Sequence, residues 1–320
     1  ITLFIAKCTT NFKGKNTIQL CIVAIIVLLA YYDIENIEPE PFALFPHSGI
    51  LPIVSTFNER PVHHQVKTAI DPLCAPLPIT KKISSLGTTN WEQALSNLDY
   101  VLSRGVRGLC FNVVYNNNKP FIVSGKYNDD HDFVVDSHNY YPFKDTMQYL
   151  EKNAMQNSAK FSIANWEDPL FIILRLHSPE TENLTNTIGK TIKTVFKNKY
   201  HNNKTVDDKL YDMKHKVLFF ISNEGIGENL TGSLKYIEYA PVTLLSNENL
   251  QNTLFAGYED NFYLMIPGDA QNKKECSTFE HARCQFIGIH YKKEGEGKET
   301  CALKHEKKWA NIGYAFEPLP

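Results

Sequence analysis

No two of the seven cysteines in this chain are spaced as C-x-x-C, and their number is odd. The missing spacing removes the common zinc-ribbon frameworks, and the odd count argues against a fully paired disulfide scaffold. Cys21 sits in an apolar run and Cys110 in a β-rich one, so most of Cys8, Cys21, Cys74, Cys110, Cys276, Cys284 and Cys301 read as buried thiols, with a Cys276–Cys284 bridge left open. Excess charge is also lacking. A formal net charge of -2 gives no general field for attracting nucleic acid, and no nucleic-acid partner is expected. Internal repeats and low-complexity tracts are absent too, and 43% hydrophobic residues over 320 positions describe a globular chain with a sizeable core. Asn183, Asn203 and Asn229 open glycosylation sequons, which matter only if the chain enters a secretory lumen.

Long uncharged apolar runs are scarce, and the one present stands out. Thr17 to Tyr32 reads TIQLCIVAIIVLLAYY. As a helix it rises about 24 Å, a little short of a hydrocarbon core of about 30 Å. Lys7, Lys13 and Lys15 precede it, whereas Asp33, Glu35, Glu38 and Glu40 follow, an asymmetry that places the N-terminus on the cytoplasmic side. A cleaved signal peptide and a buried core helix are the competing readings. Ala30-Tyr-Tyr-Asp is a poor cleavage site, and a membrane anchor is expected. The organisation expected is therefore a basic segment at 1–16, a transmembrane helix at 17–32, a stalk at 33–61 stiffened by Pro39, Pro41, Pro46, Pro52 and Pro61, and one folded domain at 62–320.

Within that domain, Thr89-x-x-Glu92 forms a capping box ahead of Ala94, Leu95, Leu98, Val101 and Leu102 at helical spacing, and Gly105 supplies the stop. Short β-rich runs follow at Leu109 to Val114 and Phe121 to Ser124. A helix is expected near Phe143 to Ala154, a strand at Leu170 to Leu176, a helix through Ile188, Ile192, Val195 and Phe196, a strand at Lys216 to Ile221 and another at Phe286 to Ile289. Strands alternating with helices predict a mostly parallel sheet with right-handed crossovers, open or closed.

Several of these stretches resemble one family. Gly105-Val-Arg107 before Leu109-Cys-Phe-Asn112, then Lys119-Pro-Phe-Ile-Val-Ser124-Gly125, resembles the catalytic core of the X half of phosphoinositide-specific phospholipases C. Pro142-Phe-Lys-Asp-Thr-Met147, Asp168-Pro-Leu-Phe-Ile-Ile-Leu-Arg-Leu-His177 and Met213-Lys-His-Lys-Val-Leu-Phe-Phe220 resemble its later helix and strands. Cys284-Gln-Phe-Ile-Gly-Ile-His290 and Asn311-Ile-Gly-Tyr-Ala-Phe-Glu-Pro318 resemble the Y half. The spellings look most like phospholipase-C-like proteins of large DNA viruses. The resemblance implies a TIM-type β/α barrel with its site at the C-terminal strand ends, behind the N-terminal transmembrane helix.

It also implies what has been lost. The family's acid/base histidines and its calcium ligands fall here on Ile70, Asp71, Cys110, Asn112, Ser124 and Arg175, and its phosphate-binding lysine on Phe220. Isoleucine and serine cannot move a proton near neutral pH, and a cation at Arg175 repels calcium. No catalytic residue, cofactor or metal is therefore expected, and the resemblance implies a pseudoenzyme: a minor capsid protein bridging the inner membrane and capsid of a virion, with the lipid bilayer and other capsid proteins as partners. Two alternatives stay open: a rewired phosphodiesterase using His63 or His64 with Asp71, and an inositol-phosphate headgroup-binding module. His131, His138 and His177 are read as surface or loop histidines. Asp129, Asp130, Asp132 and Asp136 are read as a solvated acidic loop, and Lys190, Lys193, Lys197, Lys199 and Lys204 as a wet helix face with a lipid-headgroup patch as the other reading.

Overall fold

The computed structural model describes residues 50–73, 90–127, 133–157, 163–177, 181–202, 207–222, 236–245, 261–266, 284–289, 291 and 301–319, all within the compact unit His47–Pro320. The candidate span 17–32 and the capping residue Thr89 lie outside these residues. Among those described, no helix is long and apolar enough to cross a membrane.

The described residues form ten strands: β1 (His64–Ile70), β2 (Gly108–Asn116), β3 (Lys119–Tyr127), β4 (Phe133–Pro142), β5 (Leu170–Leu176), β6 (Val217–Ser222), β7 (Ala240–Leu245), β8 (Phe262–Met265), β9 (Phe286–Ile289) and β10 (Phe316–Pro318). Four α-helices accompany them among the described residues: α1 (Asn90–Ser103), α2 (Phe143–Asn153), α3 (Thr181–Phe196) and α4 (Cys301–Ile312). Parallel pairing runs β1-β2-β5-β6-β7-β8-β9 and returns to β1, so seven strands close into a barrel. The expected parallel sheet is thus the closed form. Two antiparallel additions decorate it. β3 and β4 extend from β2 as a flap, and β10 lies against the first half of β1.

Why these segments form barrel strands follows from their composition. β1, β5 and β6 are buried along their whole length, as parallel strands covered on both faces require. Alternate residues then divide the work. Val66, Ile70, Cys110, Phe171, Ile173, Leu218, Phe220, Val242, Phe262, Leu264 and Phe286 share one core cluster inside the barrel. The intervening residues, such as Leu109, Phe111, Ile172 and Leu174, are equally buried and belong to the opposite face, where helices cover them. α2 supplies Phe143, Met147 and Leu150, spaced to lie on one side of the helix.

The barrel floor comes partly from residues assigned to the stalk. Ile50 and Ile53 are each 1% exposed and join the core cluster with Trp309, Ala315 and Phe316. Residues 50 and 53, expected within a stalk running to 61, are instead held in the folded unit by hydrophobic burial. The amide of Ile53 donates to Asp168 Oδ1 at 2.9 Å, and Ile50 lies against Gly105. Asp168 and Gly105 immediately precede β5 and β2, which fixes this segment at the N-terminal end of the strands.

Gly105 has φ +73, and a Cβ there would meet the Ile50 side chain at 2.7 Å. The helix stop therefore needs glycine for two reasons, the left-handed backbone and the close approach. Arg107 follows it fully buried. Its guanidinium donates to the carbonyls of Ala154 at 3.0 Å and Asp168 at 2.5 Å, so the Gly-x-Arg turn ties the end of α2 to the start of β5. This arginine is structural.

A second buried ionic group joins α4 to the barrel. Lys67 lies on the outward face of β1 at 0% exposure, its ammonium 2.8 Å from Glu306 Oε1 and donating to the Arg104 carbonyl at 2.7 Å. Tyr291 donates to the same carboxylate at 2.8 Å. Burial holds the Lys67 pKa below its ordinary value, although Glu306 pulls in the other direction.

The structure corrects one further expectation. Residues 133–142, expected within an acidic loop, form β4. Phe133, Val134, Val135, Tyr140 and Tyr141 carry the β-propensity that a count of aspartates hides. Cys284 is a buried free thiol bonded to the Tyr263 carbonyl, as the sequence suggested for most of the cysteines, and burial pushes its pKa up to about 12.

Candidate functional site

Strand register decides which side chains meet at the C-terminal end of the barrel. Cys110 pairs with Ile70 on one side and Ile173 on the other, and Ile173 pairs with Phe220. Ile70, Cys110, Ile173 and Phe220 therefore form one level of the interior, all at most 3% exposed. Phe220 has ring centroids at 4.8 Å from Phe262, 5.0 Å from Phe286 and 5.6 Å from Phe171. This level is an apolar plug.

Two residues further along each strand the register brings Asn112, Arg175 and Ser222 side by side. Asp71 joins them from the end of β1, at φ 48, with its amide bonded to the Cys110 carbonyl at 3.0 Å. Asn112 Nδ2 donates to Asp71 Oδ1 at 2.7 Å, while Asn112 Oδ1 lies 2.7 Å from His177 Nε2. An ionised carboxylate only accepts, so the asparagine must turn its amide nitrogen toward Asp71. Its oxygen is then left for His177, which must carry its proton on Nε2.

The imidazole is further constrained by a stacking contact with Phe133, centroids 3.8 Å apart and planes within 6°. Burial, with Arg175 nearby, lowers the His177 pKa to about 3. A histidine of that pKa is neutral at physiological pH and is a weak general base there. Arg175 is 5% exposed, and the Ser222 hydroxyl is fully buried without a hydrogen-bond partner among the described residues.

The structure thus brings together Ile70, Asp71, Cys110, Asn112, Arg175 and Phe220 on two adjacent levels of one barrel end. Ser124 lies apart on β3, half-buried, at a register irregularity between Val123 and Gly125. The residue that sequence reasoning misplaced is His177. Read as a surface or loop histidine, it is half-buried and bonded into the site. The available signal was spacing: Phe171, Ile173, Arg175 and His177 alternate by two.

His64 gives the opposite result. It opens β1, is 2% exposed, and holds the Arg60 carbonyl with Nδ1 at 3.2 Å. Seven residue steps of about 3.3 Å each lie between it and Asp71, so neither it nor the preceding His63 can reach that carboxylate.

Calcium, the metal that the resemblance implies for an active enzyme, does not fit these residues. Asp71 Oδ1 accepts from Asn112 and Asn112 Oδ1 accepts from His177, Cys110 is sealed in the plug, and Arg175 puts a cation in the same row. Calcium takes about 6–8 oxygen ligands. No group of three or more metal-ligating side chains is found among the described residues.

The architecture is that of a phospholipase-C-like β/α barrel. PLC21 of L. pealei superposes with a TM-score of 0.57 at 10% identity, covering 85% of this chain and 38% of its own. PLC21 of S. officinalis gives a TM-score of 0.51 at 10% identity, covering 82% and 37%. A calcium-dependent phosphoinositol-specific phospholipase C from the Gram-negative bacterium Pseudomonas sp covers 84% of this chain and 98% of its own at 12% identity, with a TM-score of 0.43. The chain corresponds to little more than a third of either PLC21 protein, and at these identities the likeness is one of fold. No family model and no curated protein matches the sequence.

Proposed function

We propose that this protein is a non-catalytic, membrane-anchored structural component of a virus particle, a minor capsid protein whose barrel acts as a rigid bracket between inner membrane and capsid. One observation carries the loss of catalysis: the polar groups of the barrel mouth bond to one another, His177 to Asn112 to Asp71, beside the cation Arg175. An acid/base phosphodiesterase needs a group that titrates near neutral pH within reach of substrate. His177 is the nearest candidate, and burial holds it at about 3. The apolar segment 17–32 and the proline-rich residues behind it support the anchoring part of the reading.

The test is a turnover assay on the full chain with phosphatidylinositol vesicles, with and without calcium, against a heat-inactivated control. No cleavage above control is expected. Cleavage in either condition overturns the reading. The second reading, headgroup binding without turnover, is favoured by Arg175 beside the Ser222 hydroxyl, which has no partner among the described residues. Saturable binding of inositol phosphate that Arg175→Met abolishes would establish it.

A further inference from the structure

A second concave feature lies on the outside of the barrel, where α2 and α3 pack side by side. The groove between them encloses about 560 Å³ and is lined by Lys144, Lys152, Lys190 and Lys197 together with Gln148, Glu151, Thr191 and Thr194. Its volume is that of a small-molecule site. All four lysines are exposed, and none forms an ion pair among the described residues. The single acid in the lining is already committed, since Lys199 holds Glu151 Oε1 at 2.6 Å.

Helix electrostatics accounts for only part of this arrangement. Lys152 sits in the last turn of α2, where a cation offsets the carbonyl end of the helix dipole. Lys144 sits in the first turn of α2, where the same dipole disfavours it. Lys197 follows the end of α3 with φ 49, a left-handed backbone that helix ends normally give to glycine or asparagine. Four like charges are thus gathered round one hollow, two of them at positions that local stability does not favour. In a chain of net charge -2, the concentration belongs to this groove.

We propose that the groove between α2 and α3 binds a polyphosphorylated anion, its phosphates bridging Lys144 and Lys190 on one side and Lys152 and Lys197 on the other. Binding relieves the mutual repulsion of the ammonium groups and replaces it with charge-assisted hydrogen bonds. Gln148 and Thr191 are placed to complete the contacts to ester or ring oxygens. The proposal stands apart from the bracket reading and from any ligand at the barrel mouth.

The full chain titrated with inorganic tripolyphosphate and with inositol hexakisphosphate should show saturable, micromolar binding that weakens by tenfold or more between low and high salt. Both probes should raise the melting temperature. The quadruple variant Lys144→Gln, Lys152→Gln, Lys190→Gln, Lys197→Gln changes only exposed side chains, and circular dichroism checks its fold. It should lose at least tenfold in affinity, whereas Lys214→Gln, elsewhere on the surface, should retain it. Sedimentation with phosphatidylcholine vesicles, plain or carrying a bisphosphorylated inositol lipid, separates the sources. Capture by the charged vesicles assigns a membrane headgroup, and binding of the free probes alone assigns a soluble polyphosphate. Absence of saturable binding to every probe, or unchanged affinity in the quadruple variant, overturns the proposal.

Discussion

The seam between β1 and α4 and the mouth of the barrel both bury charge, but they resolve it differently. At the seam Lys67 meets a carboxylate, a backbone carbonyl and, through Glu306, a tyrosine hydroxyl, so every charge has an opposite partner. At the mouth a neutral histidine and an amide link to one carboxylate, while the Ser222 hydroxyl stays unpartnered among the described residues. The seam pairs its charges with one another, whereas the mouth keeps a buried hydroxyl to spare. The difference teaches that this end of the barrel is not packed as ordinary core.

The contrast breaks most sharply at Glu306. Glu306→Ala leaves the Lys67 ammonium buried and unpaired, with an expected loss of about 3–5 kcal/mol in denaturant unfolding. Lys67→Met with Glu306→Leu should recover most of it, because an apolar pair avoids the desolvation cost. The mouth should respond less. Asn112→Leu removes the amide that bonds both Asp71 and the His177 N–H, an expected loss of about 1–3 kcal/mol by the same measurement.

Titration sharpens the comparison next. Burial pushes the Asp168 carboxyl, beneath the barrel, up to about 6 from its ordinary 3.8. The folded state therefore binds this proton more tightly, and the associated stability is full below about pH 4 and lost as pH rises through 6, by about 2–3 kcal/mol. His177 has the opposite sign. Its pKa is depressed to about 3, so its contribution is full above pH 6.5 and lost as pH falls through the interval toward 3. Stability measured against pH should lose its neutral-side decline in Asp168→Asn and its acid-side decline in His177→Gln. The smallest effect is expected at Gly105→Ala, about 1–2 kcal/mol, from overlap with Ile50 and displacement of the neighbouring Arg104 carbonyl that Lys67 holds.

What could be read in the chain follows the range of the signal. β2, β5, β6 and β9 were legible because unbroken apolar runs of strand length have few other uses. Interior placement of Cys110, Ile70 and Phe220 followed from the family spelling. The seam was not legible, since nothing local marks Lys67 and Glu306 as partners across most of the chain. His177 was missed because its role depends on register with β2, and β4 because aspartates masked its aromatic and β-branched residues. Ile50 and Ile53 were overlooked among prolines that describe backbone stiffness but not where the chain lies.

One topological detail sets a timetable. β1, the first strand described, completes the barrel only when β9 pairs along Val66–Ala69 and β10 along His64–Val66. Both partners lie more than 200 residues further along the chain. During synthesis the nascent sheet must therefore stand open, with an apolar strand edge exposed, until both have been made. Such non-local closure makes folding slow and aggregation-prone, and it leaves the open intermediate as the species that depends most on chaperones.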